Sequence, residues 1–282
     1  MKIAYLGPAG TFSEEAARQC AGPDDDLIPF ASFPALVSAV ETSVAQVAVL
    51  PIENSLEGSV STTLDLLIHE TKLQISKEVV VPVHHCLIGI PGADITKIKT
   101  IHSHPQALGQ CRRFIGRVLP NAQETAALST AGSVEDVVKE GDPTVAAIAT
   151  DRAAQLYGGE ILARNIEDNH GNVTRFVALT DRDHPPTGKD RTSLCVSIRA
   201  NVPGSLHAVL DELAADQIQM TRLESRPAKG VLGEYFFLID IEGHRMDDTI
   251  ARALERMRAK TDIFRILGSY PRYQPLEEAG EE

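Results

Sequence analysis

The sequence predicts an α/β protein in two parts: a long first part on mainly parallel sheets, and a short C-terminal part of order βαββαβ. Three observations carry this. Short β-rich apolar runs alternate with helix-like segments from the N-terminus onward. At residues 180–192, "TDRDHPPTGKDRT" replaces apolar periodicity with charges, two prolines and a glycine, the composition of a linker. Six further elements follow within roughly eighty residues, a workable size for a small domain.

In order, "KIAYLG" leads into "TFSEEAARQC", "LIPFA" into "FPALVSAVET", and "VAVLPI" into "SVSTTLDLLIHE". The apolar run from Val79 to Ile90 reads as a crossover between two lobes. After it come "KIKTIHS" and "PQALGQCRRFIGRV", "ETAAL" and "SVEDVVKEG", then "TVAAIA" and "DRAAQLYG". Beyond the linker, "SLCVSIRA", "PGSLHAVLDELAAD", "IQMTRLESRP", "EYFFLIDIEG", "MDDTIARALERMRAKT" and "IFRILGSYP" complete the split ferredoxin-like plan. The boundaries are set at 1–182 for the first part, 183–190 for the linker, 191–273 for the C-terminal domain and 274–282 for an acidic, solvated tail.

A chain of 282 residues is long enough for two domains, and 43% hydrophobic with 23% charged residues is an ordinary globular composition. The start lacks a signal-peptide pattern and no apolar run reaches membrane-spanning length, so a cytoplasmic protein without membrane contact is expected. The formal charge of −12 argues against nucleic-acid binding, which needs basic surface. Cys20, Cys86, Cys111 and Cys195 are widely spaced and read as reduced thiols. His102 with His104, and the adjacent His84 and His85, lack a third ligand, so no metal is expected.

Three strand-to-helix junctions carry polar chemistry. In "GPAGTFSEEA", Thr11 and Glu14 have capping-box spacing, with Ser13 between them; the helix start could hold an anion or be merely capped. In "LPIENSLEGSV", Glu53, Asn54 and Ser55 follow an apolar strand, where open α/β sheets bind ligands, although a simple Asn/Ser turn would look the same. In "IHSHPQALGQC", Ser103 and Gln106 repeat the capping spacing, and Gln106 shares a helix face with Gln110. Donors at three strand ends suit a small ligand with several anionic oxygens. Thr174 and Arg175 open the strand "TRFVAL", and neighbours on a strand face opposite ways. Both reach one site only if they occupy the irregular loop end after Gly171 and Asn172; otherwise one is plain surface.

Five blocks in order, "GPAGTFSEEA", "PIENSLEGSVSTTLDLL", "SHPQALGQC", "DNHGNVTRF" and "ESRP", resemble prephenate dehydratase with a C-terminal ACT regulatory domain, over nearly the whole chain. The resemblance implies a two-lobed, periplasmic-binding-protein-like catalytic domain followed by the ACT domain. It implies decarboxylating dehydration of prephenate to phenylpyruvate in phenylalanine biosynthesis, with no cofactor, because aromatisation drives the elimination. Carried over by position, Thr174 would donate a hydrogen bond or proton to the leaving hydroxyl. Arg175, Thr11, Ser13 and Ser103 would hold the carboxylates, and Asn54, Ser55, Gln106 and Gln110 would line the cleft. Glu53, repelled by a dianion and so favoured in its protonated form, is the second candidate acid.

The tail would bind L-phenylalanine through Gly204, Ser205 and Leu206 and through Glu224, Ser225, Arg226 and Pro227, and would pair copies into a homodimer or homotetramer. On a plainer reading Glu224 and Arg226 are a solvated pair on a turn. Ser205 and His207 depart from the family's Gly-Ala-Leu-Val pattern, which bears on the affinity for phenylalanine and the sign of its effect. The alternatives are an arogenate dehydratase, or a non-catalytic small-molecule or amino-acid sensor.

Overall fold

The computed structural model describes residues 1–198, 202–228 and 235–274; the acidic tail expected at 274–282 lies, from residue 275 on, outside the described residues. In chain order the elements are β1 (Lys2–Leu6), α1 (Phe12–Cys20), β2 (Asp26–Phe30), α2 (Phe33–Glu41), β3 (Val47–Asn54), β4 (Gly58–Ser59), α3 (Ser61–Asp65), a π-helical turn (Leu66–Glu70), β5 (Gln74–Pro82) and β6 (Cys86–Gly89). There follow β7 (Thr100–Ser103), α4 (Pro105–Gln110), α5 (Arg112–Val118), β8 (Gln123–Ala126), α6 (Thr130–Glu140), β9 (Val145–Ala149), α7 (Asp151–Tyr157), β10 (Glu160–Ala163) and β11 (Val173–Thr180). The C-terminal part comprises β12 (Asp190–Ile198), α8 (Ser205–Ala215), β13 (Met220–Pro227), β14 (Tyr235–Glu242), α9 (Asp248–Lys260) and β15 (Thr261–Pro271).

Three sheets result. The first has the order β2-β1-β3-β11-β5, with β4 on β3, and its β1 pairs in parallel with both β2 and β3. The second runs β10-β6-β9-β7-β8, parallel at β7 and antiparallel at β6. The Val79–Ile90 run is divided as expected of a crossover: β5 ends the first sheet and β6 begins the second. Both faces of the second sheet are covered. Leu87, Ile101 and Ile148 meet Leu108, Cys111 and Ile115, while Ile88, Ala147 and Ala149 meet Val134, Val137 and Ala153. That is why its strands read as continuous apolar runs, each buried Ile or Leu contributing about 1.5–3 kcal/mol.

The third sheet, β13-β14-β12-β15, is antiparallel throughout and gives the ferredoxin-like plan. One face packs Leu194, Val196, Ile239 and Ile241 on Val209, Leu213, Ile250, Leu254 and Met257 from the two helices. None of the four cysteines is in a disulfide. Burial pushes the Cys195 thiol up to about 12, so it stays protonated.

Contacts divide the chain into two compact units, Met1–Thr63 with Val79–Phe176, and Leu64–Glu78 with everything from Val177 onward. The break therefore falls inside β11 rather than at 182, and the segment 64–78 groups with the C-terminal unit, although its strand β5 pairs in the first sheet. The reasons are local to that second unit. Glu78 takes Arg191 and the Tyr273 N–H (2.7 Å). Arg265 donates to the Ile68 and Thr71 carbonyls. Asp65 pairs with Arg226 at 3.0 Å, and His69 meets Phe236 edge-on. Among the described residues no helix is long and apolar enough to cross a membrane.

Candidate active site

In the first unit, two strand ends meet in a knot of amides. Strand β3 stops because Asn54 folds its side chain over the following turn: Oδ1 accepts the Leu56 and Glu57 backbone N–H groups, both at 3.0 Å. Its Nδ2 then donates to Asn172 Oδ1 at 2.8 Å and to Thr174 Oγ1 at 2.9 Å. Ser55 Oγ accepts the Val173 N–H at 3.0 Å and donates to Asn172 Oδ1 at 3.3 Å. Asn172 Nδ2 donates to Gln110 Oε1 at 3.2 Å, and His85 Nε2 lies 3.1 Å from the same oxygen. Asn54 and Asn172 are buried at 7% and 1% exposure, so these bonds are shielded from water.

Behind His85 stands Glu167. Its carboxylate accepts from His84 Nδ1 (2.8 Å), the His85 N–H (2.9 Å) and His170 Nδ1 (3.1 Å). Burial alone would raise its pKa, but these bonds outweigh burial and hold it at about 2.

A cavity of about 390 Å³ opens against this knot, at the lower end of the roughly 300–1,000 Å³ usual for small-molecule sites. Thr11, Ser13, Asn54, Gln106, Gln110 and Thr174 all line it, as do His85, His104, Ser129 and Thr130. Among the described residues, no lysine, arginine, aspartate or glutamate lines it. Electropositive character comes instead from the starts of α1 and α6. Thr11 Oγ1 accepts the Glu14 N–H at 3.3 Å and Ser129 Oγ the Gly132 N–H at 2.9 Å, and Phe12, Ser13 and Thr130 of the two first turns are lining residues.

Several expectations change. Thr174 and Arg175 do not share the cavity: both lie within regular β11, so they face opposite ways. Thr174 lines the cavity, whereas Arg175 reaches Glu53 Oε2 at 3.2 Å, and neither member of that ion pair is a lining residue. Ser103 is not the cap of α4. It ends β7 fully buried and donates to the Ile148 carbonyl at 2.6 Å, while His104 Nδ1 caps the helix by accepting the Gln106 N–H. Ser55 acts through Asn172 rather than as cavity wall.

Sequence reasoning missed His85, Glu167 and Ser129. The signal for Ser129 was available, since "ALST" is one more polar strand-to-helix junction; nothing local marks Glu167. In the C-terminal part, Gly204 starts α8 with φ +88°, followed by Ser205, whose Oγ donates to the Val202 carbonyl at 2.8 Å, and Leu206. Glu224, Ser225, Arg226 and Pro227 stand on edge strand β13, not on a turn, with Glu224 2.6 Å from Arg222.

Against this geometry, known proteins give a consistent picture. The prephenate dehydratase family pattern matches residues 3–184. A bifunctional chorismate mutase/prephenate dehydratase of Neisseria gonorrhoeae is 43% identical over 271 residues, 96% of this chain and 74% of that protein. A prephenate dehydratase from Arthrobacter aurescens, solved in complex with L-Phe, is 37% identical with a TM-score of 0.89, covering 96% of this chain and 90% of that one. A structure described as GqqA, a novel type of quorum quenching acylase, is 37% identical with a TM-score of 0.87 over 98% and 99% of the two chains. With the family pattern spanning residues 3–184 and 43% identity across 96% of its length, the chain belongs to the prephenate dehydratase family.

Proposed function

We propose that the cavity converts prephenate to phenylpyruvate, carbon dioxide and water, with Thr174 as the hydrogen-bond donor to the departing hydroxyl. The observation that carries the reading is the Asn54–Thr174 bond. Asn54 is locked by two backbone N–H groups, so it presents an N–H to Thr174 Oγ1. The threonine oxygen is thus an acceptor there, and its own proton is left to point elsewhere, at a cavity wall with no other partner among the described residues. As the carboxylate leaves, its bonding pair moves through the ring and expels the C4 oxygen. That oxygen gains negative charge and takes up one proton to leave as water. A preplaced hydroxyl donor stabilises the charge as it develops, and a very weak acid is adequate for that role.

The substrate's two carboxylates meet the Gln106 and Gln110 carboxamides and the helix starts at Ser13 and Ser129. Among the described residues no carboxylate lines the cavity to pair with an ammonium group, which supports prephenate over arogenate. The acylase chemistry of GqqA would need a hydroxyl activated by a base. Among the described residues Thr11 donates to carbonyls, Thr174 takes an amide N–H, and no cavity hydroxyl is bonded to a histidine or carboxylate. An elimination fits better, and a bare sensor would not need the Thr174 donor. Incubating the purified chain with prephenate and following phenylpyruvate by its ultraviolet absorbance tests the reading; no product would overturn it.

Glu53 is left as a structural partner of Arg175. Glu53→Gln is therefore expected to keep kcat within about threefold of wild type, since it removes no general acid, which would cost about a hundredfold or more. Steady-state kinetics on prephenate check this.

The C-terminal unit is a phenylalanine sensor of the ACT kind, taking the effector at Gly204–Leu206 and Glu224–Pro227 and pairing copies of the chain into a cytoplasmic homodimer or homotetramer. Its ferredoxin-like sheet and the L-Phe complex of the Arthrobacter relative support this. Arg226 of the second block holds Asp65, in the helical segment that follows the Asn54–Glu57 turn along the chain. Effector binding near Arg226 would be felt at Asp65. Asp65→Asn is expected to raise the phenylalanine concentration for half-inhibition by about fivefold or more while leaving basal turnover in place, the lower range of allosteric couplings. Inhibition curves for the two proteins decide it.

A further inference from the structure

We infer that His85 is a positioning residue for this reaction: as a neutral Nε2–H tautomer it pins the Gln110 carboxamide, at the far end of a one-way chain of hydrogen bonds that begins at the Asn54 turn. The inference rests on the reading of this cavity as the prephenate site.

The direction of the chain follows from donors that cannot reverse. Backbone N–H groups only donate, so Leu56 and Glu57 fix Asn54 Oδ1 as acceptor and turn Nδ2 toward Asn172 Oδ1. Ser55 gives the same answer independently. Its oxygen already accepts the Val173 N–H, so its proton goes to Asn172 Oδ1. With Oδ1 receiving from both, Asn172 must offer Nδ2 to Gln110 Oε1. A carbonyl oxygen cannot donate, so His85 Nε2, 3.1 Å from that same oxygen, carries the ring proton.

His85 Nδ1 is then bare. It is buried with no hydrogen-bond partner among the described residues, and a second ring proton would be an N–H⁺ without an acceptor. Burial likewise holds the imidazole below its ordinary pKa. The Gln110 bond and the Glu167 charge work the other way, and His84 works with burial, without reversing it. The ring is placed by two further contacts: its backbone N–H goes to Glu167 at 2.9 Å, and Phe12 meets it edge-on, 5.6 Å between ring centres.

The consequence lies at Gln110. Two donors occupy its Oε1, so only its NH₂ end remains to meet a carboxylate. Without the His85 N–H only the 3.2 Å bond from Asn172 Nδ2 restrains the carboxamide, which can then swing its oxygen lone pairs toward an anionic substrate more readily.

The experiment compares full-length wild type, His85→Phe and His85→Gln on prephenate. Phenylalanine keeps the ring contact with Phe12 but has no donor; glutamine offers an N–H where Nε2–H stands. His85→Phe is expected to raise KM about tenfold, the order of one buried hydrogen bond lost, and His85→Gln to recover most of that with a wild-type pH profile. A lesion of folding alone would lower kcat at unchanged KM in both variants and would overturn the inference, as would an unchanged KM in His85→Phe. ¹⁵N NMR of histidine-labelled enzyme, which needs no activity, should show His85 bare at Nδ1 and protonated at Nε2. The opposite tautomer or an imidazolium in the working pH range refutes the proposal even if wild type turns over prephenate; absence of turnover in wild type strikes the functional reading instead.

Discussion

Thr174→Val is expected to lower kcat by about a hundred- to a thousandfold, the usual cost of removing one donor aimed at developing negative charge. Valine keeps the volume and the β-branched shape that suits β11, so the strand should persist. Asn54 Nδ2 loses one of three acceptors but retains Asn172 Oδ1 and the Val173 carbonyl. The lesion is therefore confined to the hydroxyl. If that hydroxyl meets the leaving oxygen only as charge builds, KM should move little while kcat falls. Thr174→Ser, which restores a donor on a side chain that rotates more freely, should recover all but about tenfold of the rate. Stopped assays with a folding control by circular dichroism separate the outcomes. A valine variant with most of its turnover would remove Thr174 from the chemistry and return attention to Glu53, although Glu53 is tied to Arg175 away from the cavity lining.

How much of this was legible in the sequence depends on the range of the physics involved. Helix starts, strand ends and the βαββαβ order are local consequences of capping residues, glycines and apolar periodicity, and they came out as expected. Thr11 caps α1 with Glu14 reaching back to the Gly10 N–H, and Asn54 and Gln110 line the cavity at the ends of the elements that "PIENS" and "PQALGQC" announced. Arg175 parts from Thr174 for a reason already in the sequence: the two are adjacent, and with β11 regular from Val173 the pleat separates them. Ser103 failed because two residues offered a cap one position apart. The buried strand end took the serine, and the histidine took the helix. His85 and Glu167 were illegible, because their meaning depends on partners some twenty-five to eighty residues away. The grouping of segment 64–78 with the C-terminal unit depends likewise on a backbone approach that no pattern of apolar residues encodes.

At that approach, Gly268→Ala is expected to destabilise the second unit by about 3 kcal/mol or more. Gly268 sits in β15 at a register shift against Ser193 and Leu194, with φ +152°. A Cβ there would press on the Ile75 carbonyl oxygen and lie 2.7 Å from its nitrogen and 2.9 Å from its carbonyl carbon. These are backbone atoms of β5, which cannot rotate aside as a side chain could, so either β5 or β15 must shift. Gly141→Ala is the informative contrast. Its φ of +71° imposes the dihedral penalty of a left-handed residue, but a Cβ there meets nothing within 4 Å, so it should cost only about 1 kcal/mol. Urea unfolding of the two variants measures the difference. Because the clash lies where β15 meets the segment carrying Asp65, Gly268→Ala should also blunt inhibition by phenylalanine at denaturant-free conditions. Equal losses in the two variants would mean that the dihedral alone matters at Gly268, and that the close passage of β5 against β15 does not hold the segment to the sheet.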